Sequence, residues 1–351
     1  MADAVERAAA DDSAVPRVTG AGNRIFVVTD GSAILGLGDV GPRAGLPVME
    51  GKSVLFKRLA DIDAWPLPLR SRDVDDLVRT IADVSVGVGG INLEDIAAPP
   101  CFDLVRRLED ELEIPVFHDD QHGTAIVVLA ALRNALQVVG RELSDVSVVV
   151  SGAGAAGSAV ARLLLEQGVR RIVVCDSRGS LHPGRDLAGE KAWLAEHANP
   201  EGDTGGLAAC LDGADVLIGV SAPGIVDESM VRSMSDGPIL FGLANPDPEF
   251  DVEDARRYGA VVATGRSDLP NQINNVLAFP GVLRGLLDAP VRRVDGVVMA
   301  AAAEAIASLV EEPDPTQIVP DVFDDRLVER VAAAVAAGAH GLSDATRETG
   351  R

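Results

Sequence analysis

Residues 147–168 read SVVVSGAGAAGSAVARLLLEQG, and this stretch decides the fold. An apolar run with β-branched residues ends at Gly152. Glycines recur at 152, 154 and 157, and helical periodicity starts at Ala155. A strand that turns on glycines into a helix is the setting in which G-x-G-x-x-G has a physical meaning. The first glycine allows the tight turn, the second lets a pyrophosphate reach the backbone, and the third lets the helix pack against the strand. The free N–H groups at the helix start then face the phosphates. Gly152, Ala153, Gly154, Ala155, Ala156 and Gly157 are therefore expected to bind a dinucleotide. The weaker alternative is a flavodoxin-like sheet with a coincidental glycine turn. Asp176 ends the next apolar run, RRIVVCD at 170–176, where a ribose-binding acid is expected. Its charge favours NAD, whereas Arg178 just after it suits the 2′-phosphate of NADP, so both cofactors stay open.

Further apolar runs follow downstream at 215–221, 238–245 and 260–265, separated by helical stretches. Such runs predict strands of a parallel sheet covered on both faces. The expected fold class is α/β. It comprises a Rossmann-like, doubly wound domain over 123–285, a smaller α/β substrate and metal domain over 1–122, and a C-terminal helical segment over 286–351. Upstream, RIFVVTDGSAILGLG at 24–38 predicts a strand, a turn at Asp30-Gly31 and a second strand. A second G-x-G-x-x-G stands at Gly36, Gly38 and Gly41. The prolines of PRAGLP after it argue against a following helix, so it reads as a tight loop.

The formal net charge of −23 argues against nucleic-acid partners, which need a basic face, and against anionic membranes. No uninterrupted apolar run reaches membrane length. Three cysteines without metal or redox spacing, and no signal peptide, predict a cytoplasmic protein with buried thiols.

The stretch PVFHDDQHGTA at 115–125 places His118 and His122 four apart, with Asp119 and Asp120 between them. Tetrahedral zinc wants three or four N or S ligands, and the other histidines lie in unrelated segments. Carboxylates do cluster. Glu94-Asp95 and Asp119-Asp120 each end a predicted strand, and adjacent acidic strand ends suit Mg²⁺ or Mn²⁺. Solvated strand ends are the plainer reading of either pair alone. Lysine is rare: Lys52, Lys57 and Lys191 stand in a chain that otherwise uses arginine. Lys52 reads either as an amine kept because it can lose its proton or as an ordinary surface lysine.

Taken together, the chain resembles the small bacterial malic enzymes from about Gly22 onward. The likeness rests on VVTDGSAILGLGDVGPRAGLPVMEGKSVLFK, INLEDIAAP, PVFHDDQHGTA, the glycine fingerprint, GLANPDPE and GRSDLPNQINNVLAFPG. It implies oxidation of L-malate by NAD(P)⁺ and decarboxylation to pyruvate. It further implies that Glu94, Asp95 and Asp120 are divalent-metal ligands, Lys52 the base at the C2 hydroxyl, and Asp119 the acid paired with it. Asn245 and Asn275 match asparagines that hold the substrate and the nicotinamide side. A homodimer or higher oligomer is implied as well. Two rivals are a malolactic-type enzyme, which releases lactate without net cofactor reduction, and an inactive paralogue that binds cofactor beside an active partner. The resemblance breaks at two places. Ala33 stands where larger relatives carry a carboxylate-binding arginine. The family's acidic tyrosine, in a YTPG segment, has no counterpart, since Tyr258 is the single tyrosine. The expectation is that Met1 is an internal start and that the protein extends further upstream; a genuine loss is the alternative.

Overall fold

The computed structural model describes residues 1–34, 36–289 and 291–348. The chain divides into two compact units. The first comprises Met1–Asp119, Phe279–Val298 and Val328–Arg351, and the second Asp120–Ala278 and Met299–Leu327. Within the C-terminal segment, residues up to 298 and from 328 belong to the first unit and 299–327 to the second.

The first unit holds four parallel strands: β1 (Arg24–Thr29), β2 (Asp63–Pro68), β3 (Gly90–Leu93) and β4 (Val116–His118), in the order β2-β1-β3-β4. Ile25, Val27, Ile91, Leu93 and Phe117 on these strands are fully buried. Strand β2, with Pro66 and Pro68, does not read as a strand from sequence. It sits at the sheet edge, where a proline lacking an N–H is tolerated. Among the described residues, the second strand expected within 24–38 does not form, and a single bridge, Ile34 to Gly38, lies there. The expectation that no helix follows the Gly36 motif is also overturned, because a helix spans Pro42–Ala60. Pro42 occupies its first turn, where a missing N–H costs nothing, and Pro47 lies inside. Helices Phe279–Asp288 and Leu327–Glu348 meet closely. A methyl on Gly281 would fall 2.6 Å from Val331 Cβ.

The second unit carries β5 (Ser147–Ser151), β6 (Arg171–Asp176), β7 (Gly179–Ser180), β8 (Val216–Gly219), β9 (Ile239–Gly242) and β10 (Val261–Thr264), in the order β10-β9-β8-β5-β6-β7. Only the short β7 is antiparallel. All five apolar runs predicted as strands form this sheet. In helix Thr124–Val139, 11 of 16 residues are buried. Asp119–Val139 is long and apolar enough to cross a membrane by composition, yet 72% of its apolar window is buried.

The fingerprint turn has the predicted geometry. Gly152 adopts φ 122°, and the helix Ala155–Glu166 starts immediately after it. A methyl on Gly157 would fall 1.8 Å from the Gly152 carbonyl oxygen. Gly157→Ala is therefore expected to cost about 3 kcal/mol or more, read as a drop in urea midpoint. A loss below about 1 kcal/mol would contradict this close approach of helix and strand.

Candidate active site

Lys52 lies on the helix Pro42–Ala60, whose buried residues Gly45, Met49, Phe56 and Ala60 stand one, two and one turns apart on one face. Lys52 falls three after Met49 and four before Phe56, on that same face. A lysine inserted into an apolar stripe needs buried partners, and it has them. Its Nζ lies 2.6 Å from Asp119 Oδ2 and 3.0 Å from Glu94 Oε1, with the side chain 9% exposed. The ring of Phe279 stands 4.1 Å from the same nitrogen, a cation–π contact. Asn92 Nδ2 donates to Glu94 Oε2 at 3.0 Å. Burial disfavours the charge on Lys52, but Asp119 and Glu94 outweigh it and hold the ammonium above the ordinary lysine range.

Glu94 and Asp95 follow directly on β3, and both are buried. Asp95 takes a left-handed backbone, φ 53°, and its carbonyl accepts from Ala33 N at 3.1 Å. Asp119 and Asp120 do not end the strand β4 as expected. They open a π-helical turn, Asp119–Gly123, that runs into the helix Thr124–Val139. The wide turn sets adjacent acids on different courses. Asp119 reaches Lys52, and Asp120 joins Glu94 and Asp95, with one oxygen from each of the three within 4.8 Å of the others. The peptide bond to Asp119 carries Asp120 at this place. An all-carboxylate set fits a hard divalent cation and not zinc. His118 and His122 are buried, and burial lowers the His122 pKa to about 4, so its ring is neutral.

The residues expected to bind a dinucleotide lie in the second unit. Asp176 ends β6 with its carboxylate occupied. Oδ2 takes Arg185 Nη2 at 2.8 Å and Lys191 Nζ at 2.9 Å, and Oδ1 takes the Arg178 N–H at 2.9 Å. Burial works against its charge, but these donors hold the carboxyl well below the usual range. The Arg178 side chain is exposed. Asn245 stands exposed on the loop after β9. Asn275 opens a short turn after β10, and its side chain meets Thr124 Oγ1 at 3.2 Å. Tyr258 donates to Glu228 Oε1 at 2.6 Å, on a helix of this unit.

Sequence reasoning passed over Phe279, Asn92 and Arg185. Phe279 lies inside the quoted GRSDLPNQINNVLAFPG stretch, but nothing local to it points to Lys52. For Lys191 the signal was its rarity, which had been applied to Lys52 alone.

A parallel sheet entered through a glycine-turn fingerprint defines an α/β protein with a Rossmann-like dinucleotide-binding domain. Comparison with known proteins narrows this. The family described as "Malic enzyme, NAD binding domain" matches residues 121–340, and "Malic enzyme, N-terminal domain" matches 10–72. The NAD-dependent malic enzyme of Geobacillus stearothermophilus is 50% identical over 331 residues, covering 93% of this chain and 69% of that protein. The bifunctional malic/malolactic enzyme of Bacillus subtilis (strain 168) is 52% identical over 323 residues, covering 91% and 79%. The crystal structure of the NAD-dependent malic enzyme from Thermotoga maritima superposes with a TM-score of 0.92 at 44% identity, covering 95% of this chain and 89% of that one. The chain belongs to the malic enzyme family.

Proposed function

We propose that this chain oxidises and decarboxylates L-malate to pyruvate and CO₂, reducing NAD⁺ or NADP⁺, with Mg²⁺ or Mn²⁺ held by Glu94, Asp95 and Asp120. The observation that carries this reading is the buried Lys52, bonded at once to Asp119 and to the metal-site acid Glu94. Lys52, in its neutral form, is the base that takes the C2 hydroxyl proton as hydride leaves C2. Asp119 orients the amine and relays its proton. Phe279 covers the amine and excludes water from it. A divalent cation bound there would supply Lewis-acid stabilisation of the enolate charge as CO₂ departs. Asn245 and Asn275 are read as holding the substrate and the nicotinamide side.

The direct test supplies the purified chain with L-malate, Mn²⁺ and either cofactor, and follows reduced cofactor and pyruvate together. Equal yields support oxidative decarboxylation. Lactate without reduced cofactor would favour the malolactic reading, which the likeness to the bifunctional Bacillus subtilis enzyme keeps open. Binding of cofactor and metal with no product of either kind would favour the inactive paralogue.

The surroundings of Asp176 bear on the cofactor. A bare carboxylate would repel a 2′-phosphate, but Arg185 and Lys191 offset the charge. Both cofactors therefore suit these residues. Lys191→Ala should weaken NADP⁺ binding about tenfold, the worth of one charge-assisted contact of about 1.4 kcal/mol. NAD⁺ affinity should change less than about threefold. Calorimetric titration of both cofactors checks this, and an equal loss for the two would refute the role.

A further inference from the structure

We propose that Glu249 is a positioning residue for the dinucleotide. Its buried carboxylate fixes the loops after β8 and β9 against the glycine turn after β5. Glu249 is completely buried, in the GLANPDPE stretch, and the proposed mechanism gives it no task. Oε1 accepts from Ser221 N at 2.8 Å, and Oε2 accepts from Ala244 N at 3.1 Å. Ser221 lies on the loop after β8. Ala244 immediately precedes Asn245 on the loop after β9. One carboxylate thus spans two loops from neighbouring strands.

The fit is close. A methyl on Gly219, the last residue of β8, would fall 2.4 Å from Glu249 Cδ. The glutamate's own main chain returns to the same loop, since its carbonyl accepts from Val226 N at 2.8 Å, while Gly224 N donates to Pro248 O at 3.1 Å. From Ser221 the network reaches the fingerprint. Ser221 Oγ lies 3.0 Å from Ser151 Oγ, and Val220 N donates to Ser151 O at 2.9 Å. Ser151 precedes Gly152.

All three loops leave the carboxyl ends of parallel strands, where doubly wound sheets bind their ligands. A buried carboxylate is costly unless it is hydrogen-bonded; here two main-chain N–H groups offset that cost, and an apolar side chain would take the acceptor away from both. What it alone provides is two acceptor oxygens at a fixed separation. A glutamine provides one oxygen and one NH₂, so one loop would meet a donor with a donor.

The inference rests on the reading that this unit binds a nicotinamide dinucleotide. The test is Glu249→Gln on the full chain, titrated calorimetrically with NAD⁺ and NADP⁺ well below its melting temperature, with circular dichroism confirming the folded fraction. The expected result is at least a fivefold loss of affinity together with faster amide exchange at Ser221 and Ala244. A merely structural role would lower the melting temperature and leave the affinity of the folded protein unchanged. A folded variant that loses less than fivefold in affinity overturns the proposal. Should Glu249→Gln not fold, Glu249→Asp takes its place under the same thresholds, since the shorter arm cannot reach both loops. Wild-type protein that binds neither cofactor would overturn the dinucleotide reading itself, and this inference with it.

Discussion

Lys52→Arg is expected to abolish malate oxidation while leaving the protein folded and able to bind cofactor. The loss should be about a thousandfold in kcat, within the usual range for removing a general base. Arginine keeps the positive charge between Asp119 and Glu94, so the ion pairs at 2.6 and 3.0 Å can persist in altered form. It cannot lose its proton near neutral pH. Lys52→Met separates charge from chemistry in the other direction. It removes both the base and the counter-charge, leaving two buried carboxylates facing each other, and should also destabilise the protein by about 3 kcal/mol or more. Asp119 and Glu94 hold Lys52 above the ordinary lysine range, so without a bound cation its protonated, inactive form dominates through neutral pH. The rate should therefore rise with pH, as the neutral amine becomes populated. Retention of a tenth of wild-type kcat by Lys52→Arg would rule the lysine out as the base.

Asp120→Asn should lower Mn²⁺ affinity at least about tenfold, because it replaces one of three anionic ligands of a hard cation with a neutral one. Activity should vanish in EDTA and return with Mg²⁺ or Mn²⁺. The cation should also stabilise the wild-type fold, by about 2.7 kcal/mol at a hundred times its dissociation constant, and Asp120→Asn should lose most of that gain at the same concentration. Thermal melts with and without Mn²⁺ read this independently of turnover. An unchanged melting temperature and unchanged Mn²⁺ binding in the variant would remove Asp120 from the ligand set. Asp119→Asn offers a contrast. It should damage catalysis through Lys52 and leave Mn²⁺ affinity nearly intact, since Asp119 faces the lysine.

The legible parts of the chain share a physical cause. Strands β5, β6, β8, β9 and β10 are buried on both faces and so read as unbroken apolar runs. The glycine turn was legible because its steric demand is local: Gly152 needs its positive φ, and Gly157 has no room for a methyl. Strand β2 was not legible. Its prolines are admissible only because it lies at the sheet edge, a fact of pairing and not of sequence. The helix Pro42–Ala60 was missed for a similar reason. Two prolines argue against a helix until one is seen to occupy the first turn.

The sequence by itself determined the dinucleotide fold, because it follows from local periodicity and glycine placement; for the acidic pairs and Lys52, residue type and rarity left a plainer reading open, and their roles came from the family resemblance. Tertiary structure decided how those acids divide their tasks. A π-helical turn sends Asp119 toward Lys52 and Asp120 toward Glu94 and Asp95. It also decided that Phe279 stands beside the lysine, that Arg185 and Lys191 offset Asp176, and that Glu249 joins two loops. Some of these pairings are local, such as Glu249 with Ala244, but Lys52 and Asp119 stand 67 positions apart. Hydrogen bonds and Coulomb forces act over a few ångströms, so only the folded backbone determines which groups come within their reach.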